Sequence, residues 1–444
     1  MSDNLGNRRQ EMKLSLRAAH LLRAMVAGAG MAAAMSAHAD VTITYSDWQL
    51  AQDVWGKSLN GVIDAFEKAN PGIKVKREPV PLAQRDVKYS TAIRAGEGPD
   101  VFALDANPVR QYIAEGWVRD LTPYIQKEGG NFLADFYPNS LLPVTVTGKT
   151  YGIPMNTVAM TLVYNKKLFA EAGVAGPPKT WDEFRAAAKK LTRSSTGGSA
   201  IDRWGFSVVL APAGFDLRVS SILRGFGADF ITPDGQRSAL DTPEAKAAFN
   251  FIVDLILVDK SVPPGAAQVD ANGSRRLLAN RTVAMKIGTT WSYPEVSAMN
   301  PQLDGWNVLA MAPMPQPAGN SKQVRTTLFQ KSIFVGKNSK HPDEAWKLAK
   351  YLTDSASMKK WFDDNNMLSS RKSVNEGYDK IANSESARIV AAEIAHGAFL
   401  PQTPKWPQAL EIFRQNLQAA VAGSKPREQA LADAHQQIEA LLKQ

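Results

Sequence analysis

From Val41 to Asp105 the sequence switches back and forth between two hydrophobic periods, and no other feature restricts the fold as strongly. "VTITYSDW" alternates, with Val41, Ile43 and Tyr45 on one face, which predicts a strand. Residues 58–69 then place Leu59, Val62, Ile63 and Phe66 on one helical stripe, until Asn70-Pro71-Gly72 stops it. "IKVKREPV" predicts a second strand, residues 84–95 a helix, and "VFALD" a short apolar strand ending at Asp105. This order requires a sheet with helices on its faces. Ligands of such sheets collect beyond the carboxyl ends of the strands. Trp48 and Asp105 stand at two of those ends.

The middle of the chain is punctuated more heavily. "YNKKLFAEAGVAGPPKTWDEFRAAAKKLT" predicts a short helix over 165–172 that Gly173 ends and Pro177-Pro178 cannot extend. Thr180 and Glu183 then form a capping box, with Trp181, Phe184, Ala188 and Leu191 at helical spacing behind it. Further strands are expected at "TLVYNK", "WGFSVVL", "TVAMKIGTTW" and "SIFVGK". Helices are expected after Thr242-Pro243, after His341-Pro342, and over most of the last forty residues. A chain of 444 residues is too long for one core, yet it contains no low-complexity linker. Two lobes joined by crossing strands follow from that pair of facts.

Residues 1–39 differ in character. Arg8, Arg9, Lys13, Arg17 and Arg23 precede a weakly apolar stretch from Ala24 to Ala37, and Ala37-His38-Ala39 offers a small-residue cleavage site. We read a cleaved export signal, with Met12 as an alternative start and Sec preferred over twin-arginine export. The chain has no cysteine, so it carries neither a disulfide framework nor a lipid-attachment thiol. Loss of the signal would leave a net charge of about +6, too mild to ask for nucleic acid. Enzyme chemistry finds little footing. His341, His396 and His435 are scattered, and the sequence holds no H-E-x-x-H, P-loop or G-x-S-x-G motif. "GFGADF" at 225–230 lacks the third glycine of a dinucleotide fingerprint.

The ordered set "GPDVFALD", "EGWVRDLTPYI", "YGIP", "YNKKLFAEAGVAGPPKTWDEF", "LDTPEAKAAFNFIVDLI", "ANRTVAMKIGTTW" and "HPDEAWKLAKYLTDSASMKKW" resembles the family 1 extracellular solute-binding proteins. These are the receptors of ABC importers, with maltose- and glycerol-phosphate-binding members. The resemblance implies an α/β fold of the type II periplasmic-binding-protein class, two lobes joined by hinge strands around a central cleft. It divides the chain into 40–154 with 286–331 as one lobe and 155–285 with 332–444 as the other. Crossings are expected near Ile153–Asn156, Met285–Gly288 and Lys331–Val335. The implied function is capture of a carbohydrate or polyol in the periplasm and delivery to a membrane permease. A monomer is implied, with no cofactor, no metal and no lipid anchor. Two alternatives stay open: a receptor for a phosphorylated polyol, and a secreted carbohydrate-active enzyme using a carboxylate pair.

Sugars need aromatic faces and planar polar groups. Trp48 is a stacking candidate or packs under a loop, and Asp105 accepts sugar hydroxyls or caps the following helix. The resemblance adds Asn156 and Thr157 after "YGIP", Phe215 in "APAGFDLR", and Trp291 with its neighbour Tyr293 after the "GTT" turn. It also adds Arg371, which ends "NNMLSSR", where Ser369 replaces the family's proline. Arg218 and Arg371 are the cations a phosphate would use. Trp117, Trp181, Trp346 and Trp361 are assigned to the core.

Overall fold

A computed structural model describes residues 41–303, 305–319 and 324–444; the expected export signal lies outside them. The first sheet contains β1 (Val41–Asp47), β2 (Ile73–Pro79) and β3 (Val101–Asp105). A two-residue hairpin follows, β4 (Thr145–Val146) with β5 (Lys149–Thr150). Next come β6 (Gly152–Ala159), β7 (Thr161–Asn165), β8 (Trp204–Ser207), β9 (Val283–Gly288), β10 (Leu309–Ala312), β11 (Thr326–Val335) and β12 (Gly397–Ala398). The first sheet runs β12-β11-β3-β1-β2, with β6 also on β11; the second runs β10-β7-β9-β8. β1 pairs in parallel with β2 and β3, as the alternating periods demand. Two α/β lobes result, linked by strands around a central region.

Strand membership divides the chain differently from the expected boundaries. All four strands of the second sheet lie between Thr161 and Ala312, so β9 and β10 belong there. Met285–Gly288 is not a crossing: it lies inside that sheet, between β7 and β8. The chain passes from one sheet to the other at Met160. Its amide donates to Thr327 O at 2.9 Å and its carbonyl accepts from Thr326 Oγ1 at 2.5 Å, so the exit and the return are bonded together. After β11, the helices Pro342–Leu352 and Ser355–Asn365 pack on the first lobe, against β11 and the Asp53–Ala69 helix. Trp406–Val421 and Arg427–Lys443 return to the second lobe and pack on the Pro243–Leu257 helix.

Local signals act as read. Asn165 Oδ1 accepts from the amides of Lys167 and Leu168, Gly173 takes φ 65°, and Thr180 with Glu183 forms the full capping box. Thr242 caps the Pro243–Leu257 helix through the Ala245 amide. Trp117, Trp181, Trp346 and Trp361 are all buried. Gly205 is required by close packing. A Cβ there would lie 2.2 Å from Ala188 O, so only glycine lets β8 approach the Trp181–Leu191 helix.

Candidate functional site

Two candidate positions, Asp105 and Asn156, meet through strand register on a lysine that was not a candidate. On the middle of the first sheet, Lys331 of β11 stands opposite Asp105 of β3 on one side and opposite Asn156 of β6 on the other. Residues directly opposite in antiparallel strands share a face, so Asp105, Lys331 and Asn156 form one row. Asp47, the last residue of β1, adds a carboxylate. Lys331 is fully enclosed and forms an ion pair with Asp47, also fully enclosed, and a hydrogen bond with Gln49 Oε1. Asp47 is held further by Tyr45 Oη at 2.5 Å and the Gln49 amide at 2.8 Å. Burial lowers the Lys331 pKa, and the Asp47 charge opposes that shift. Burial, then the same carboxylate, raises the Tyr45 hydroxyl well above its ordinary value, so Tyr45 stays a donor.

Aromatic rings wall this row. Trp48 is buried, with the Arg85 guanidinium 4.9 Å and the Lys331 ammonium 5.2 Å from its ring. Trp361 lies 5.3 Å from the same ammonium, and its indole nitrogen is buried with no partner among the described residues. Arg85 is committed to two carboxylates, Asp105 at 2.9 Å and Asp86 at 2.8 Å.

The second lobe contributes the turn after β9. Thr289 Oγ1, Thr290 Oγ1 and Trp291 Nε1 are all buried, again without a partner among the described residues. The Trp291 ring meets Phe329 of β11 edge-on at 5.4 Å. Asn366, in the left-handed conformation that ends the Ser355–Asn365 helix, donates from Nδ2 to Thr290 O at 2.8 Å and so ties the two lobes. Asn365 and Asn156 each leave both amide atoms buried and unpartnered. Buried polar atoms are nearly always hydrogen-bonded. Here two planar amides, two hydroxyls and two indole N–H groups lack partners among the described residues, on segments that the Asn366–Thr290 bond and the Trp291–Phe329 contact link.

The remaining candidates sit elsewhere. Thr157 alternates to the opposite face from Asn156, where it bonds Gln330 Oε1 at 2.9 Å and Ser370 Oγ at 2.8 Å. Phe215 is buried with its ring against Phe413 in the second lobe. Tyr293 donates to Ser386 Oγ at 2.7 Å. Arg371 belongs to a first-lobe corner. It bonds Thr353 O at 2.7 Å and Asp135 at 3.2 Å, over the Phe136 ring at 4.4 Å. A hollow of about 790 Å³ bordered by Ile201, Trp204, Leu257 and Pro263 is lined by second-lobe residues and shares none with the row.

The Arg371 corner is testable. Burial pushes the Asp135 carboxyl up, but hydrogen bonds from Ser373 and Arg371 outweigh it and hold the pKa below the ordinary value. A depressed folded pKa contributes stability above the unfolded value of about 3.8 and loses it as pH falls through the folded pKa. Arg371→Met should therefore cost about 1.5–3 kcal/mol at pH 7. In urea titrations the deficit should shrink below about pH 4, with solute affinity of the folded variant unchanged. A variant of wild-type stability that no longer bound solute would overturn this structural role.

Sequence reasoning passed over Asp47, Lys331, Asn365, Thr289 and Thr290, and assigned Trp361 to the core alone. The lysines carried a signal: Lys286 in "VAMKIG" and Lys331 in "FQKSIFV" interrupt runs that are otherwise buried.

Comparison with known proteins agrees with this fold. The family model described as bacterial extracellular solute-binding protein matches residues 52–359. A binding protein of Brucella abortus is 28% identical over 388 residues, covering 87% of this chain and 90% of its own. An ABC transporter solute-binding protein of Thermotoga lettingae, solved with α-D-tagatose, superposes with a TM-score of 0.78 at 28% identity, covering 90% and 99% of the two chains. The maltose/maltodextrin-binding domain of Bdellovibrio bacteriovorus, solved with maltotriose, gives 0.73 at 25% identity, covering 91% and 100%.

Proposed function

This chain belongs to the bacterial extracellular solute-binding protein family, and from that premise we propose that it is the periplasmic carbohydrate receptor of an ABC importer. The matching proteins are binding proteins, not enzymes. The proposed solute is an oligosaccharide held between the lobes and handed to a membrane permease. One observation carries this reading: the amides of Asn156 and Asn365, with Thr289, Thr290, Trp291 and Trp361, have buried polar atoms without a partner among the described residues, on segments that Lys331, Phe329 and the Asn366–Thr290 bond link across the two lobes. Amide groups offer a donor and an acceptor in one plane, and indole rings offer flat faces, which together match the hydroxyls and C–H faces of a sugar. Asp105 and Trp48 complete the first-lobe wall in this reading. Relatives solved with tagatose and maltotriose support a carbohydrate class.

A phosphorylated polyol fits less well. Arg371 is spent on Asp135 and Thr353, Arg85 on Asp86 and Asp105, and Lys331 on Asp47, while Arg218 is buried with its Nη1 on Gly214 O. The test is a melting-temperature and tryptophan-fluorescence survey of protein stripped of ligand by unfolding and refolding. Sugars, polyols, sugar phosphates and amino acids form the panel, since a specific ligand raises the melting temperature with occupancy. A saturable response to sugars is expected. A response only to phosphates or amino acids, or release of cleaved product from a glycan, would sink the reading.

A further inference from the structure

The bond between Asn366 and Thr290 differs in kind from those at the linking strands. Met160 with Thr326 and Thr327 lies on the strands themselves. Arg224 of the Phe215–Phe226 helix also bonds there, from Nη1 to Thr327 Oγ1 at 3.2 Å and Ala398 O at 2.6 Å, and from Nη2 to Phe399 O at 2.8 Å. A rotation of one lobe about those strands leaves such bonds near its axis. The Asn366 bond instead joins the end of a first-lobe helix to the turn after β9, so the same rotation pulls it apart.

Both halves of the bond are held in place. Asn366 takes φ 52° and ψ 35°, the left-handed conformation that glycine and asparagine tolerate best, and its amide closes the helix on Phe362 O at 2.7 Å. The last turn of that helix is anchored in its own lobe. Asp364 accepts from Ser58 Oγ at 2.6 Å, and Asp363 from Tyr378 Oη at 2.7 Å. On the other side, Thr290 O accepts from the Tyr293 amide at 3.3 Å, which ties it to the first turn of the Ser292–Met299 helix. Its second lone pair takes Asn366 Nδ2 at 2.8 Å. Asn366 is 3% exposed and Thr290 fully enclosed, so water does not compete for the bond while the lobes are together. Every partner belongs to the chain, and the bond forms without solute.

We infer that Asn366 is the closure latch of the receptor, a positioning residue that holds the Thr289–Trp291 turn against the first lobe before solute arrives. A solute that needs the closed form then binds more tightly in proportion to the fraction of protein closed beforehand, so the latch scales affinity for every solute by one common factor. The effect on affinity rests on the proposed solute site; the effect on the shape of the ligand-free protein does not.

The test compares wild type with two variants, all stripped of ligand. Asn366→Gly keeps the left-handed turn and removes the donor. Asn366→Asp keeps the side-chain shape and, ionised, offers no donor. The chain has no cysteine, so Lys88→Cys on the Arg85–Arg94 helix and Ala247→Cys on the Pro243–Leu257 helix, both exposed, place one spin label on each lobe. Double electron–electron resonance reads the distance between the labels without solute. The closed-to-open ratio of wild type should exceed that of either variant by about fivefold, the worth of one net hydrogen bond. Calorimetric titration with the sugars of the panel should show affinities lowered by one common factor, at most about fivefold, with the ratios between sugars unchanged. Identical distance distributions in wild type and both variants would overturn the latch. Unequal losses among the sugars with unchanged distances would overturn it too, and would make Asn366 a solute contact. Shifted distances in a protein that binds no sugar would keep the latch and remove the carbohydrate reading.

Discussion

Asp47→Ala should lower the unfolding free energy by about 3–5 kcal/mol, because it strands the Lys331 ammonium in a fully enclosed site. Gln49 Oε1 and the faces of Trp48 and Trp361 would remain, but among the described residues no carboxylate bonded to the ammonium, since Asp105 is held by Arg85. Lys331 would then fold as the neutral amine. Its folded pKa is lowered by burial, against Asp47, and removal of Asp47 drops it further. The unfolded state then binds more protons than the folded one, so stability rises with pH. The deficit of Asp47→Ala should therefore be largest near neutrality and shrink as pH climbs towards the ordinary lysine value of 10.5. Asp47→Leu with Lys331→Met should recover most of the loss, since apolar replacements of a buried pair are often neutral. Urea unfolding across pH checks all three points. A single variant costing less than about 1 kcal/mol would show that the pair is not enclosed in the unliganded protein.

The second large effect has opposite signs on stability and on binding. Asn156→Leu removes two buried amide atoms that have no partner among the described residues, at nearly constant volume. An unpaired buried polar group costs about 1–3 kcal/mol, so the ligand-free variant should be more stable than wild type. Solute affinity should fall about a hundredfold, close to 2.7 kcal/mol, because in the proposed site the amide's hydrogen bonds go to the ligand. Thermal unfolding of stripped protein and calorimetric titration with the best sugar of the panel measure the two halves. A destabilised variant that binds normally would mean that Asn156 is satisfied within the protein and that the site lies elsewhere. Thr157 offers the contrast. Its hydroxyl is satisfied by Gln330 and Ser370, so Thr157→Val should lose stability with little change in affinity.

Much of the fold was legible because its signals are local. The alternation of β1, the stripe of Leu59, Val62, Ile63 and Phe66, and the cap at Thr180 depend on residues within a few positions of one another. Lobe boundaries were not legible in this way. Whether β9 and β10 join one sheet or the other depends on pairing with β7, more than a hundred residues earlier, and no local period records it. The site was legible only in part for the same reason. Asp105 was found at a strand end and Asn156 through the family resemblance, but their shared neighbour Lys331 is defined by register across three distant strands. Trp361 reads as a core residue because its helix pattern is apolar, and only the structure shows its indole nitrogen beside Lys331 without a partner among the described residues. Phe215 sits where an inward aromatic was expected, yet its ring is enclosed by Phe413, a contact that sequence spacing cannot reveal.

The placement of β11 has a consequence for how such a chain is made. β3 ends at Asp105, but its antiparallel neighbour β11 begins more than two hundred residues later, after the whole second sheet. At synthesis rates of about 5–20 residues per second, the edge of β3 waits on the order of ten seconds or more for its partner. Through that interval the five-residue edge of β3 and its apolar face stay uncovered, a state prone to aggregation. A polypeptide that cannot complete either lobe early is also one that stays loose while it is being threaded through a narrow translocation channel. The same interleaving that joins the lobes by bonded strands thus delays compaction until nearly three quarters of the chain has emerged.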